Sequence, residues 1–271
     1  MKIKNKLFIL PALLLCISLN AEPFDSTYIA EPSATSLLKN ANIYDGEGNE
    51  FFGYDLLIVN GKIETIGVNL LSKTENTIEY DLSGMWVTPG IIDLHSHMGV
   101  YSAPGVKTSS DGNESTSPVT ADVWAEHSVW TQDPQFSLAL QGGVTTFHVL
   151  PGSANLIGGR GTTFKNVQSN TIQGMKFPDA PHSLKMACGE NPKRVYGSRR
   201  QAPSTRMGNI AGYRKAWIKA SKYRQNMNTY ESKSAEAKEI VSPPTRDLEM
   251  DTLAGVLNGE ILVQNHCYRA E

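Results

Sequence analysis

Two histidines separated by one residue, His95 and His97, are the side chains in this sequence best suited to chemistry. They end an apolar run that begins at Met85, and such a run predicts a buried parallel strand. Residues two apart on a strand point to the same side of it. The pair therefore predicts a site for one divalent cation, because neutral imidazole binds zinc, iron and nickel well.

Two other interpretations of this segment stay open from the residues alone. The histidines are also compatible with a pair of core side chains whose ring nitrogens are hydrogen-bonded to the backbone. Asp93 lies on the same face by spacing, so we expect it either to hydrogen-bond a ligand histidine or to cap the strand end.

Upstream of the histidines, the chain predicts a small antiparallel sheet. Short β-rich runs between residues 37 and 81 are separated by the turn pairs Asp45-Gly46 and Asn60-Gly61. An Asn-Gly pair between apolar runs predicts a hairpin, because both residues tolerate the positive φ of a type I′ turn.

Downstream of the histidines, predicted strands alternate with predicted helices, as in parallel βα units. Two polar segments, 101–118 and 151–161, are predicted to be loops at the carboxyl ends of strands, where ligand loops gather. In the second, Arg160 is available to pair with a substrate carboxylate. The predicted strands cover 143–150, 183–188 and 259–265, and the predicted helices cover 123–141 and 206–238.

Residues 87–97, Val-Thr-Pro-Gly-Ile-Ile-Asp-Leu-His-Ser-His, resemble the metal-binding signature of the amidohydrolase superfamily. Residues 60–63, Asn-Gly-Lys-Ile, resemble its N-terminal β-sandwich, and the most similar branch is the imidazolonepropionase-like amidohydrolases. The resemblance covers roughly 41–271 and implies an α/β fold. We expect part of a small β-sandwich over 22–88 and an incomplete TIM (β/α)8 barrel, with about five strands, over 89–271.

The same resemblance implies a set of metal ligands. It makes His95 and His97 the ligands from the first barrel strand, and residues 263–270 resemble the fifth strand, which makes His266 a third ligand. Members with two metals need an anionic bridge. The block 184–194 offers either the carboxylate of Glu190 or a carbamylated Lys185, and a structural role for Glu190 in a loop ion pair is a further alternative.

The implied activity is metal-dependent hydrolysis of carbon–nitrogen bonds in a small-molecule amide, either a non-peptide or a cyclic one. The implied cofactor is one or two divalent metal ions, zinc first and iron or manganese as alternatives, which activate water and polarise the carbonyl. His127 and His182 are expected to be structural or solvated. His148 ends a predicted strand and is expected to be a hydrogen-bonded strand-end residue, with an approach to the site as the alternative.

No catalytic residue can be assigned within the chain. A complete barrel takes about 250 residues, whereas roughly 180 follow the sandwich, so the catalytic aspartate is expected beyond Glu271. The sequence thus predicts a truncated fragment that is inactive alone. The alternatives are one half of a split enzyme completed by a C-terminal chain, and a non-catalytic periplasmic module that binds a metal or another ligand.

Composition and the first residues indicate the cellular setting. The formal net charge of −2 gives no field that would attract nucleic acid. Three lysines before residue 7 precede an apolar run of about 13 residues, shorter than the roughly 20 of a membrane span. Residues 1–21 are therefore predicted to be a signal peptide of a secreted or periplasmic protein without a transmembrane span. Cys188 and Cys267 are expected to be separate buried thiols.

Overall fold

Two five-stranded sheets organise the computed structural model, which describes residues 23–72 and 75–269. The predicted signal peptide, residues 1–21, lies outside the described residues. The strands of the first sheet are β1 (Ser36–Tyr44), β2 (Glu50–Val59), β3 (Lys62–Gly67), β4 (Ile78–Asp81) and β5 (Trp86–Val87).

The turn between β2 and β3 has the predicted geometry. Asn60 and Gly61 have φ values of 51° and 72°, so the type I′ prediction is confirmed in the sign of both angles. β1, β2 and β3 pair antiparallel as expected, but β4 and β5 pair parallel with β1. The prediction of a purely antiparallel sheet is therefore wrong, because the chain crosses back before it adds these two short strands.

The second sheet is an incomplete barrel wall, so the predicted α/β class is confirmed. Its strands follow the order β10-β9-β8-β7-β6. The elements of this part, in chain order, are β6 (Ile91–Ser96), α1 (Gln135–Gln141), β7 (Val144–Val149), β8 (Ile157–Lys165), α2 (Ile172–Met175), β9 (Ser183–Gly189), α3 (Glu190–Gly197), α4 (Arg206–Glu231), α5 (Ala235–Ile240), α6 (Leu248–Asn258) and β10 (Leu262–Tyr268).

One strand of this wall runs against the others. β8 pairs antiparallel with both β7 and β9, whereas β6–β7 and β9–β10 are parallel pairs. The prediction of parallel strands only is wrong here, because the connection after β7 is too short for a parallel crossover of a dozen or more residues.

The predicted loop 151–161 is wrong over its second half, since β8 begins at Ile157. Gly159 allows a close approach of two backbone segments. A Cβ on Gly159 would overlap the backbone of Val123, and Arg160 N–H donates to Val123 O at 2.8 Å. This contact also explains why the predicted helix over 123–141 is wrong, because the main chain at Val123 pairs with β8. Only α1 and a short 3₁₀ turn, Ala125–Ser128, are helical in this range.

Helices α4 and α6 cover one face of β9. Leu184 and Met186 of β9 share a buried cluster with Ala216, Ala220 and Leu253 of the two helices. α6 has clear sequence limits. The Asp247 carboxylate accepts from the backbone N–H groups of Glu249 and Met250, and Gly259 at φ 82° ends the helix. None of the helices in the described ranges combines the length and hydropathy that a membrane span requires.

The two end strands of the wall are more exposed than predicted. The strand that ends at the histidine pair was expected to be buried, yet large apolar side chains on both end strands face solvent, because β6 and β10 each pair with only one neighbouring strand. A side-chain contact nevertheless joins them, since Gln264 Nε2 donates to Leu94 O at 3.1 Å and so shows that the wall curls. The exposed side chains are those of Ile91, Ile92, Leu94, Leu262 and Val263.

A disulfide crosslinks β9 and β10. Cys188 and Cys267 are direct partners in the parallel register and form one bond, so the prediction of separate thiols is wrong. The two residues are 79 positions apart in sequence, and only the pairing of the strands brings them together. Next to Cys188, Gly189 adopts φ 79°, and a Cβ there would overlap the backbone of Tyr268. Glycine therefore permits this close approach of the strands.

A buried ion pair joins the 3₁₀ turn Ala125–Ser128 to the residue that follows α2. Glu126 Oε2 is 2.7 Å from Lys176 Nζ, and both side chains are almost fully buried. The ammonium also donates to Phe24 O at 2.7 Å, so the pair fixes the segment that precedes β1.

Replacing both Cys188 and Cys267 with serine should lower the free energy of unfolding by about 4 kcal/mol, because the crosslink closes a long loop and reduces the entropy of the unfolded chain. Urea denaturation without reductant measures the change. Reductant should destabilise the parent protein and leave the double variant unaffected. Equal denaturation midpoints for the parent and the variant would contradict the crosslink.

Glu126→Gln should lower the free energy of unfolding by about 3–5 kcal/mol, because it leaves the Lys176 ammonium buried without its counter-charge. The double variant Glu126→Gln with Lys176→Met should be more stable than the single variant, since it removes the uncompensated charge. Thermal and chemical denaturation compare the three proteins. A double variant less stable than the single one would show that the ion pair is not the cause.

Candidate metal centre

Three histidine rings meet at the carboxyl ends of the barrel strands. The ring centroid of His95 is 5.2 Å from that of His97 and 5.4 Å from that of His266. His95 lies on β6, His97 directly follows β6, and His266 lies on β10. The curl of the wall thus brings together histidines from its two opposite ends. The structure places the three predicted ligands side by side.

Lys185 of β9 lies beside these rings. Its Nζ is 3.1 Å from His95 Nε2 and 3.1 Å from Pro151 O, and the residue is 1% exposed. Among the described side chains, Lys185 has no carboxylate within ion-pair distance. Burial lowers the pKa of Lys185 to about 8, so its amine loses the proton far more readily than an exposed lysine does.

Burial also keeps two of the imidazoles neutral. It lowers the pKa of His95 to about 4, with the nearby Lys185 charge as the second cause. Burial lowers the pKa of His97 as well, although the hydrogen bond to the Leu150 backbone acts in the opposite direction. Both rings are therefore uncharged at neutral pH, which is the form that binds a metal ion.

Hydrogen bonds show which ring nitrogen can bind a cation. His97 Nδ1 is 2.9 Å from Leu150 O, and a carbonyl oxygen only accepts, so Nδ1 carries the proton and Nε2 has the lone pair. A charged Lys185 only donates, so His95 Nε2 likewise accepts. Two of the three rings are thus set to offer Nε2.

The donors form a cation site only if Lys185 changes. Within 23–72 and 75–269, no group of three or more His, Cys, Asp or Glu side chains is arranged to hold a metal ion. In addition, Lys185 Nζ lies 3.1 Å from His95 Nε2, the nitrogen that a cation on this ring would need. Neutral imidazoles are suitable ligands for zinc or iron, but the ammonium must lose its charge or move before a cation can bind.

The other predicted residues lie at different places. Glu190 is the first residue of α3, beyond the end of β9, whereas Lys185 lies inside that strand. Arg160 donates from Nε to Thr252 Oγ1 at 2.9 Å and lies over the Trp124 ring. These contacts hold the guanidinium toward α6, so its predicted role with a substrate carboxylate stays a prediction. Asp93 accepts from the backbone N–H of His95, which supports its expected role as a cap rather than a partner of the ring.

The remaining histidines are satisfied or packed. His148 lies between Thr163 Oγ1 at 2.8 Å and Ser183 Oγ at 2.6 Å, and burial lowers its pKa to about 4. Burial lowers the pKa of His182 to about 4 as well. His127 stacks on the Trp124 ring. The predicted structural role is confirmed in the contacts of His148.

Sequence reasoning missed one residue of the site. Ser153, in the loop after β7, has its Oγ 2.7 Å from His266 Nδ1. The contact joins residues that are 113 positions apart. Nothing in the local sequence marks this serine, because its role depends on how the wall curls.

The known proteins that this chain resembles are hydrolases of related kinds. No protein-family model matches the chain. The amidohydrolase tasK of Hapsidospora irregularis is 31% identical over 268 residues, which cover 89% of this chain and 27% of tasK. A dihydroorotase of Ligilactobacillus salivarius is 39% identical over 71 residues, 26% of this chain and 15% of that enzyme. The chain thus spans about a quarter or less of the length of these relatives.

A solved structure matches most of the fold. The amidohydrolase from Thermotoga maritima MSB8 superposes with a TM-score of 0.76 and 38% identity, over 87% of this chain and 58% of that one. Because it covers 87% of this chain, the match extends well beyond the His95-Ser96-His97 segment. Together with the sequence relatives, it shows that this chain belongs to the amidohydrolase superfamily.

Proposed function

We propose that this chain provides the metal-binding part of a hydrolase that cleaves carbon–nitrogen bonds in small non-peptide or cyclic amides. The observation that carries the proposal is the meeting of His95, His97 and His266 around a buried lysine. The cation would be zinc, with iron or manganese as alternatives, and either one or two ions. Bound there, it would supply the Lewis acidity that amide hydrolysis needs.

The bridging ligand in this proposal is Lys185 after reaction with carbon dioxide, rather than Glu190. Lys185 is within contact of His95, is buried, and has a pKa lowered to about 8 by burial. Its neutral amine would form a nitrogen–carbon bond to carbon dioxide and release one proton to solvent. The product is an anionic carbamate, which removes the ammonium from His95 Nε2 and replaces it with oxygen ligands.

The proposed ligands predict a specific pattern of metal retention. His97→Ala should weaken zinc binding at least about tenfold, since even outer-shell partners are worth about 10–100-fold in affinity. His127→Ala is the matched control, because that ring stacks on Trp124 outside the cluster. Competition with a chelator followed by metal analysis measures the affinities. A parent protein that retains no zinc, iron or manganese would exclude the proposed site.

The bridge predicts a labelled adduct on one lysine. With carbon-13-labelled bicarbonate and zinc, the parent protein and Glu190→Gln should show a carbamate signal by NMR, and Lys185→Ala should not. Lys176 is the internal control, since its amine is buried against the carboxylate of Glu126 and lies outside the histidine cluster. Loss of the metal in Glu190→Gln but not in Lys185→Ala would assign the bridge to the carboxylate instead.

A further inference from the structure

Positive charge in this chain is concentrated in one segment. Residues 191–230 contain ten of its 25 Lys and Arg and none of its 27 Asp and Glu, which leaves 15 cationic against 27 acidic residues elsewhere. Most of the segment is α4, which packs on the face of β9 opposite Lys185. A chain with a formal net charge of −2 therefore has a local excess of positive charge on one outer helix.

Three cations on the exposed face of α4 have no acidic neighbour. Arg214, Lys215 and Lys222 are exposed, and none of them has a carboxylate within ion-pair distance among the residues that the structure describes. Two other cations of the helix are engaged, since Arg224 donates to a backbone carbonyl and Lys219 lies near a carboxylate of α6. Three uncompensated charges thus face solvent within about two turns of helix.

Large apolar side chains lie on the same exposed face. Met207 is 79% exposed and Ile218 is 67% exposed. They are 11 positions apart, about three helical turns, so they form one stripe that also contains Arg214. The opposite stripe contacts the core through the small residues Ala216 and Ala220. The helix therefore offers solvent a surface that is both cationic and apolar.

We propose that the exposed face of α4, defined by Met207, Arg214, Lys215, Ile218 and Lys222, binds the surface of an anionic lipid membrane. Anionic headgroups strengthen binding about fivefold for each Lys or Arg near the surface. Apolar side chains at the same level enter the boundary between headgroups and acyl chains. The helix would lie in the plane of the interface. The proposal does not depend on the metal site.

Two other anionic partners suit this face less well. Nucleic acid is bound mainly through phosphate contacts, which use the cations and leave Met207 and Ile218 without a role. An acidic surface on a second copy of this chain would also pair with the cations, but it would place charged groups against the aliphatic side chains. A membrane surface is the partner that uses both properties of the face.

Co-sedimentation with lipid vesicles tests the proposal. The contacts that hold both sheets lie within 23–269, so the protein to use is the chain from residue 22 onward, which lacks the apolar run 7–19. Vesicles of phosphatidylcholine and phosphatidylglycerol should bind it at least about tenfold more tightly than vesicles of phosphatidylcholine alone. The difference should disappear in about 1 M salt, where charges are screened beyond about 3 Å.

A pair of lysine variants locates the charge effect on α4. Lys215→Gln with Lys222→Gln should lower partition onto the anionic vesicles about 25-fold, about fivefold for each charge. Lys62→Gln with Lys107→Gln is the matched control, because it removes the same charge from exposed positions on β3 and in the 101–118 segment. This control should stay within about twofold of the parent, since distant surface charges are screened.

An apolar variant distinguishes a membrane from the other anionic partners. Ile218→Gln should weaken binding to the anionic vesicles at least about fivefold, because it removes a side chain that enters the interface. Ile240→Gln is the matched control, since Ile240 is 86% exposed but belongs to α5. It should bind as the parent does.

The remaining outcomes overturn the proposal. They are equal binding to both kinds of vesicle, equal effects of the two lysine pairs, and binding of a DNA duplex or self-association at low salt in place of vesicle binding. Circular dichroism checks that each variant is folded. If the variants do not fold, the parent decides by its preference for anionic over neutral vesicles, because a chain of net negative charge is otherwise repelled by anionic lipid.

Discussion

The contact between Lys185 and His95 is the constraint on which the rest of the site depends. A lysine amine buried without a carboxylate is costly while it is charged, and here it lies against the ring nitrogen that would bind a cation. The same burial that makes the ammonium unfavourable keeps the neighbouring imidazoles neutral. The environment thus favours one change at Lys185, loss of its charge, and that change is also what metal binding requires.

The geometry of this contact comes from the curl of the barrel wall. His95 and His266 lie on the two end strands, and they meet only because the sheet between these strands curls. β8 runs antiparallel to both of its neighbours, so the chain adds this strand without a crossover helix. β7 and β9 therefore run in the same direction. The short loop created by that reversal contains Ser153 and Pro151, which contact His266 and Lys185.

Local patterns in the sequence predicted local features well. The Asn60-Gly61 turn and the grouping of His95 with His97 depend on residues adjacent in the chain, and the structure has both. Long-range features could not be obtained in this way. The direction of β8 was hidden because Gly158 and Gly159 resemble a loop, whereas Gly159 permits the close approach of Val123. The partnership of Ser153 with His266 and the pairing of Cys188 with Cys267 depend on strand register, which no single segment encodes.

The disulfide makes the alignment of the site depend on the redox state of its surroundings. Cys267 directly follows His266, and Cys188 lies three residues after Lys185, so the bond fixes the relative height of the two strands that contribute these groups. Where the bond is intact, β9 and β10 cannot slide past each other, and the spacing between amine and imidazole is preserved even though β10 pairs on one side only. An oxidising environment would therefore maintain the alignment of the cluster by covalent means, without any contribution from the metal itself.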